Sequence, residues 1–335
     1  MSRFYRAQLL DAPKNSMKVA EMLLPEPAAG EVLVRVGASG LNPLDLKIRE
    51  GAAAHAKAQF PTVLGMDVAG IVEAVGAGVT AFARGDRVYG MVSGVGGIAG
   101  TLAEYVLADY RPVAIAPHAM SMREAASLPL VFITGWEGLV DRADVRPGRK
   151  VLVHGGAGGV GHAAIQIALA RGATVSATGG DQESLDIIRS LGAAPINYRE
   201  SSVEEYVAAH AEGSGFDIVY DTVGGATLDN SFLAISRFGH VVSALGWGTH
   251  SLAPLSFRSG SYSGVFTLLP LLSGIGREHY GDIMRQATEL ADIGKLTALL
   301  DPRTFRLDDA NDAYAHLASR QSKGKVVVTV DPDLG

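Results

Sequence analysis

The sequence of 335 residues contains no cysteine. That absence alone excludes disulfides, thiolate zinc sites, iron–sulfur clusters and thiol nucleophiles. No apolar run reaches the roughly 18 residues that would suggest a membrane span. The first fifteen residues, ending at Asn15, lack the apolar stretch of a secretory leader, so the expected compartment is the cytoplasm. A basic excess is missing too: 29 Lys and Arg stand against 35 Asp and Glu, a net charge of −6. This is not the footprint of a nucleic-acid binder, and neither nucleic acid nor membrane is expected as a partner.

What is present suits sizeable cores: 47% of residues are apolar and 19% charged. At about 150 residues per domain the length allows two domains. Glycine is abundant, at 41 residues, and it marks changes of pattern. Residues 1–125 read as short strands punctuated by Gly and Pro: Glu31–Val36, Val68–Val75, Asp86–Tyr89 and Ala103–Leu107. From Val151 strands alternate with helices. The strands are Val151–His154, Ala173–Ala177, Phe216–Tyr220 and Gly239–Leu245; the helices are Gly159–Arg171, Glu183–Leu191, Ser202–Ala211 and Thr227–Ser236. Such alternation implies βαβ units and a parallel sheet covered on both faces. A helix over Asp309–Ser319 and a strand over Lys325–Val330 close the chain.

The most informative stretch is Val151-Leu-Val-His-Gly-Gly-Ala-Gly-Gly-Val-Gly-His162. It places G-x-G-x-x-G at Gly156, Gly158 and Gly161, after a strand and opening a helix. In that context the first glycine permits a tight turn, the second admits a pyrophosphate and the third allows helix–strand packing. The helix N-terminus adds free N–H groups and the positive end of a dipole. Ala157, Gly159 and Val160 complete a dinucleotide loop. NAD sites usually carry an acid at the end of the second strand. Here that strand runs into Thr178-Gly179-Gly180, with no carboxylate before Asp181, which also suits a helix N-cap. The missing acid favours NADPH.

These residues belong to a wider match. Gly40–Gly51, Pro61–Gly76, Gly85–Val88, Ala103–Tyr105, Ala125–Pro129, Ile133–Glu137, the glycine loop and Tyr220–Gly225 occur in order along the chain. Together they resemble the medium-chain dehydrogenase/reductase superfamily, in its zinc-free quinone oxidoreductase (zeta-crystallin-like) branch. The resemblance implies an α/β protein in two parts. One is a GroES-like β domain from residues 1–125 and 270–335. The other is a Rossmann domain with a doubly wound parallel sheet, over 126–269, with cofactor in the cleft between them. The family's Gly-His-Glu zinc motif reads Gly65-Met66-Asp67 here, and its zinc-binding Cys position falls near Leu41-Asn42-Pro43, so no metal is expected. His154 follows a buried strand and reads as a packed group rather than a ligand.

The same resemblance places Asn42 at the nicotinamide ribose, although an Asn before Pro also suits a turn. Asp45 either starts a helix or lines the cleft. Thr134 is expected on the cofactor, and Tyr198 beside the adenosine 2′-phosphate. Ser184 stands where many relatives carry a phosphate-binding Lys, so Arg199 or the segment from Lys323 to Lys325 would supply the charge. Val223, Gly224 and the run Ala244, Leu245 and Gly246 border the nicotinamide. Phe266 lies toward the substrate end or in the core, and Asp221 could be no more than a capped loop acid. No acid–base constellation stands out. Tyr89, Tyr105 and Tyr262 are possible proton donors, and Asn42, Asp45 and Tyr262 remain the catalytic candidates.

Hydride transfer to an electron-poor quinone or enone needs positioning and cofactor electronics, with the proton taken from solvent. Alcohol oxidation would need a group, normally zinc, to stabilise the hydroxylate. The expected activity is therefore zinc-independent, NADPH-dependent reduction of quinones or α,β-unsaturated carbonyls. Alternatives are a 2-enoyl-thioester reductase and a redox-inactive NADPH-binding protein. A homodimer is expected, paired through Gly239–Leu245 as the edge of the parallel sheet.

Overall fold

The computed structural model describes residues 3–334. The chain divides into two compact units, Met1–Leu130 with Leu268–Gly335, and Val131–Thr267. Among the described residues no helix is long and apolar enough to cross a membrane.

The second unit carries six strands: β1 (Lys150–His154), β2 (Thr174–Gly179), β3 (Ala194–Asn197), β4 (Phe216–Asp221), β5 (Ile235–Ser243) and β6 (Ser261–Gly264). All five pairings are parallel, in the order β3-β2-β1-β4-β5-β6. This is the doubly wound dinucleotide-binding order, whose direction reverses between β1 and β4. β1 is buried almost throughout because Val151, Leu152 and Val153 have covered sheet on both sides. The helix Gly159–Ala170 packs eight buried residues. Helices Val203–Ala211 and Ala226–Ala234 cover one face through Tyr206, Leu228 and Phe232, packed on Leu152, Val219 and Val241.

One expectation fails here. The segment Gly239–Leu245 is not the sheet edge: β5 pairs with β4 on one side and β6 on the other. The edge on that side is β6, whose Ser-Tyr-Ser-Gly sequence has little strand signal and which is recruited by pairing with His240–Ser243.

In the first unit a seven-stranded sheet is built on Glu31–Gly40, which pairs antiparallel with Asp67–Val75, Tyr105–Asp109 and Val327–Thr329. The C-terminal strand thus joins the N-terminal sheet. Its core is a valine set, with Val32, Val34 and Val36 at period two against Val68, Val72 and Val106. A smaller sheet joins Lys18–Leu23, Phe4–Leu10 and Thr62–Val63.

Candidate functional site

At the carboxyl ends of β1 and β4, His154 stands opposite Asp221 in register. The loop leaving β1 shows why glycines are required. Gly155, not Gly156, takes the left-handed turn, with φ of 74°. This corrects the role expected for Gly156. A Cβ on Gly156 would lie 2.7 Å from Ala177 Cβ and 2.9 Å from Ile188, so its glycine serves close packing. A Cβ on Gly161 would lie 2.1 Å from the Gly155 carbonyl, which fixes the third glycine. Gly158 differs: it is the N-cap of Gly159–Ala170, and a Cβ there would meet only the Gly155 oxygen at 3.3 Å. That open side is where a pyrophosphate would sit against the helix N-terminus.

A cavity of about 650 Å³ opens at this loop, lined by Ala157, Gly158, Gly179, Gly180, Ser184 and Tyr198 among others. Asp181 is turned away as the N-cap of Gln182–Ser190, accepting the Ser184 N–H at 2.8 Å. Its helix-capping reading holds, and Gly179-Gly180 presents no carboxylate. Glu204 is the one acid in the lining, and no Lys or Arg lines it. The Tyr198 ring covers Gly180, where a Cβ would meet its hydroxyl at 2.7 Å, and the Arg199 guanidinium lies 6.0 Å from the ring centroid.

Thr178 is an organiser: its hydroxyl accepts the Gly155 N–H at 3.0 Å and lies 3.3 Å from His154 Nδ1. Burial pushes the His154 imidazole down to about 4, opposed by the nearby Asp221 charge, so it is neutral at physiological pH. This supports its reading as a packed group.

Asp221 is fully buried, and its carboxylate accepts the N–H groups of Val223 and Gly224 and the Ser243 hydroxyl, at 2.7 to 3.1 Å. Its backbone carbonyl takes the Ala244 N–H, and Ser243 Oγ takes that of Leu245. One carboxylate therefore shapes both loops at the ends of β4 and β5. Gly224, at φ of 81°, lies so close to Leu245 that a Cβ would be 2.7 Å from its carbonyl. The Tyr262 hydroxyl lies over Gly246, and burial pushes its phenol up. Thr134 is buried; its carbonyl accepts the Tyr220 hydroxyl at 2.6 Å, and its own hydroxyl is 3.4 Å from that of Thr267. Phe266 packs edge-on to Trp247.

The remaining candidates lie in the first unit. Asn42 is fully buried, with Nδ2 donating to Asp67 at 2.9 Å and Oδ1 accepting from Lys325 at 2.6 Å. Its amide is thus spent on positioning. Asp45 accepts the Asn42 N–H in the first turn of the helix Pro43–Arg49, so it is the helix-starting residue of the two readings. Burial raises the Asp45 carboxyl to about 7, against the Asn42 hydrogen bond and Lys325 and with the charge of Asp67. Lys323 donates its backbone N–H to Asp301 at 2.8 Å.

The Lys325–Asn42–Asp67 network carried no local sequence signal, since its members are up to 283 residues apart.

Two family models match: "Alcohol dehydrogenase GroES-like domain" over residues 28–118 and "Zinc-binding dehydrogenase" over 191–328. Among curated relatives, the spectinabilin polyketide synthase system protein NorB of Streptomyces orinoci is 34% identical over 96% of this chain and 14% of that protein. The NADPH-dependent alkenal/one oxidoreductase, chloroplastic, of Arabidopsis thaliana is 33% identical over 92% of this chain and 74% of its own. The quinone oxidoreductase of Sus scrofa is 31% identical, with 92% of each covered. A solved alcohol dehydrogenase superfamily protein from Novosphingobium aromaticivorans is 51% identical, at TM-score 0.95 over 97% of this chain and 99% of that one. The CurK enoyl reductase is 28% identical at TM-score 0.83, over 97% and 99%.

The chain belongs to the medium-chain dehydrogenase/reductase superfamily, in its quinone oxidoreductase branch. It is an oxidoreductase expected to bind a pyridine nucleotide, and the glycine loop with its open N-terminus fits one.

Zinc does not fit. Met66 and Asp67 are fully buried, and Asp67 is engaged by Asn42, the Leu130 N–H and Lys325. Among the described residues no group of three or more His, Cys, Asp or Glu could hold a metal. An ammonium beside Asp67 occupies that carboxylate instead.

Proposed function

We propose that the chain reduces quinones or α,β-unsaturated carbonyls with NADPH, by direct hydride transfer and without zinc. The observation that carries this reading is the opening at Gly158 into a cavity whose second-strand end is Gly179-Gly180, with Asp181 withdrawn onto Ser184. A 2′-phosphate meets no carboxylate from that turn, which is the basis for NADPH over NADH. The names of the Arabidopsis and Sus scrofa relatives support the acceptor class. When bound, the dinucleotide supplies the hydride. The protein's part is to seat the pyrophosphate on the Gly159–Ala170 helix and to shape the loops 222–224 and 244–246 through Asp221. The proton is taken from solvent.

The exposed edge β6 offers unpaired backbone groups for a second copy, so we propose a homodimer across β6 rather than β5. A cytoplasmic location belongs to the same proposal. The deciding assay follows NADPH absorbance with 1,2- and 1,4-quinones and small enones, with NADH in parallel. Turnover with NADPH is expected; cofactor binding without turnover of any of these acceptors would overturn the reading. Because the chain spans only a small part of NorB and resembles the CurK enoyl reductase, a short 2-enoyl thioester is the second substrate to test.

A further inference from the structure

Of the two tryptophans in the sequence, Trp136 is buried, whereas Trp247 is 56% exposed just beyond the end of β5. Its indole meets the Phe266 ring edge-on, with centroids 6.4 Å apart at 88°. The loop that carries it is fastened at successive points. The Ala244 N–H donates to the Asp221 carbonyl, the Leu245 N–H to Ser243 Oγ and the Trp247 N–H to the Leu245 carbonyl. His250 makes the last fastening. Its Nδ1 lies 2.9 Å from Asp229 Oδ1, and its Nε2 lies 3.5 Å from the Trp247 carbonyl oxygen.

Both of those partners are acceptors. A neutral imidazole carries one N–H, so it can satisfy only one of them; the imidazolium satisfies both. When the proton leaves, the remaining hydrogen stays on the shorter bond to the carboxylate, and the Trp247 carbonyl is released.

We infer that His250 is a positioning residue: as an imidazolium it ties the Trp247 carbonyl to Asp229 and so sets the indole as a wall for a planar, conjugated acceptor. What the wall serves rests on the proposed function; the latch itself does not. The charged groups facing His250 are Asp229, from the helix Ala226–Ala234, and Asp221, from β4. The Asp229 hydrogen bond raises the imidazole above its ordinary value, against desolvation and with help from the Trp247 carbonyl and both carboxylate charges. The latch is therefore closed below that raised value and opens as the pH climbs through it. Phe232, edge-on to His250 with centroids 6.4 Å apart, fixes the ring plane.

The test uses the protein without cofactor or acceptor, reading tryptophan emission and acrylamide quenching against pH. Wild type is expected to show one transition in the upper histidine range, with the indole more quenchable on the alkaline side. His250→Gln should remove the transition. Asp229→Asn, which keeps the imidazole, should move the midpoint down. An unchanged transition in His250→Gln, or no transition in wild type, overturns the latch. A second arm measures KM for a naphthoquinone and for NADPH across the same pH range. The acceptor KM should rise several-fold above the midpoint in wild type and stay flat in His250→Gln, with the NADPH KM unmoved in both. An acceptor KM insensitive to the latch overturns the role of the wall. If the optical transition behaves as expected but no quinone or enone turns over, it is the proposed function that fails.

Discussion

Asp45 offers the sharpest test of how the first unit is held together. Its carboxyl is fully buried and accepts the Asn42 N–H at 2.9 Å, with the Tyr314 hydroxyl as a second partner. Burial is the largest influence and lifts its pKa from 3.8 to about 7. The folded protein therefore binds a proton here that the unfolded chain has already released, between about pH 4 and pH 7. Stability falls as pH rises through that window, and the loss is complete above it. Three units at 1.36 kcal/mol each set the penalty at about 4 kcal/mol on the alkaline side. Asp45→Asn keeps the shape and an oxygen to accept the Asn42 N–H but has no charge to bury. At about pH 5 the folded wild type still holds this proton, so the hydrogen bond is neutral in both proteins, while the unfolded carboxyl has already begun to ionise. The variant should consequently match wild type most nearly at about pH 4 and melt several degrees above it near about pH 8.5. Thermal unfolding of both proteins across this range reads the divergence directly. Parallel pH profiles, or a variant less stable at every pH, would refute the reasoning.

Three further outcomes concern the dinucleotide unit. Gly158→Ala adds a Cβ that meets only the Gly155 oxygen at 3.3 Å, so stability should change by no more than about 1 kcal/mol. NADPH binding measured by calorimetry should nevertheless weaken by at least about tenfold, because the new methyl stands where the pyrophosphate would approach. Gly161→Ala should instead lose about 3 kcal/mol of stability by chemical unfolding, since its Cβ would be 2.1 Å from the Gly155 carbonyl. Ser184→Lys brings an ammonium to a lining that has none and should tighten NADPH by about tenfold while leaving NADH unchanged; equal effects on both cofactors would place the 2′-phosphate elsewhere.

Much of the dinucleotide unit was legible because its signals are local. Val151–His154 is a short β-branched run, the glycines follow at once, and the next helix is apolar at nearly every position. In the first unit the helix Arg277–Asp292 was missed, although Tyr280, Ile283, Met284, Ala287 and Ala291 stand at helical spacing on one buried face. Other features had no local signal. β6 is Ser-Tyr-Ser-Gly and exists through its neighbour, which is why β5 was mistaken for the edge. The turn at Gly155 lies just outside the three-glycine pattern, and only φ distinguishes it from Gly156. Asp221 reads as one acid among several until Ser243, 22 residues on, is found holding its second oxygen.

The buried acids decide what chemistry is left. Asp221 spends both oxygens on loop N–H groups and Ser243, and Asp67 spends both on Leu130, Asn42 and Lys325. Both carboxylates are fully buried and every oxygen of the two already accepts a hydrogen bond. His154 is held neutral by burial, with Nδ1 committed toward Thr178. The groups that remain at the strand ends are backbone N–H donors, a helix N-terminus and aromatic faces. Such a set binds and orients, and offers donors to a developing negative charge, but it holds no strong base to take a hydroxyl proton. It matches an acceptor that is already electron-poor, for which a correctly aimed hydride is most of the work. On the proposed function, the acceptor would be selected by the loops after β4 and β5, where Asp221 fixes the backbone and Trp247 offers a large exposed indole.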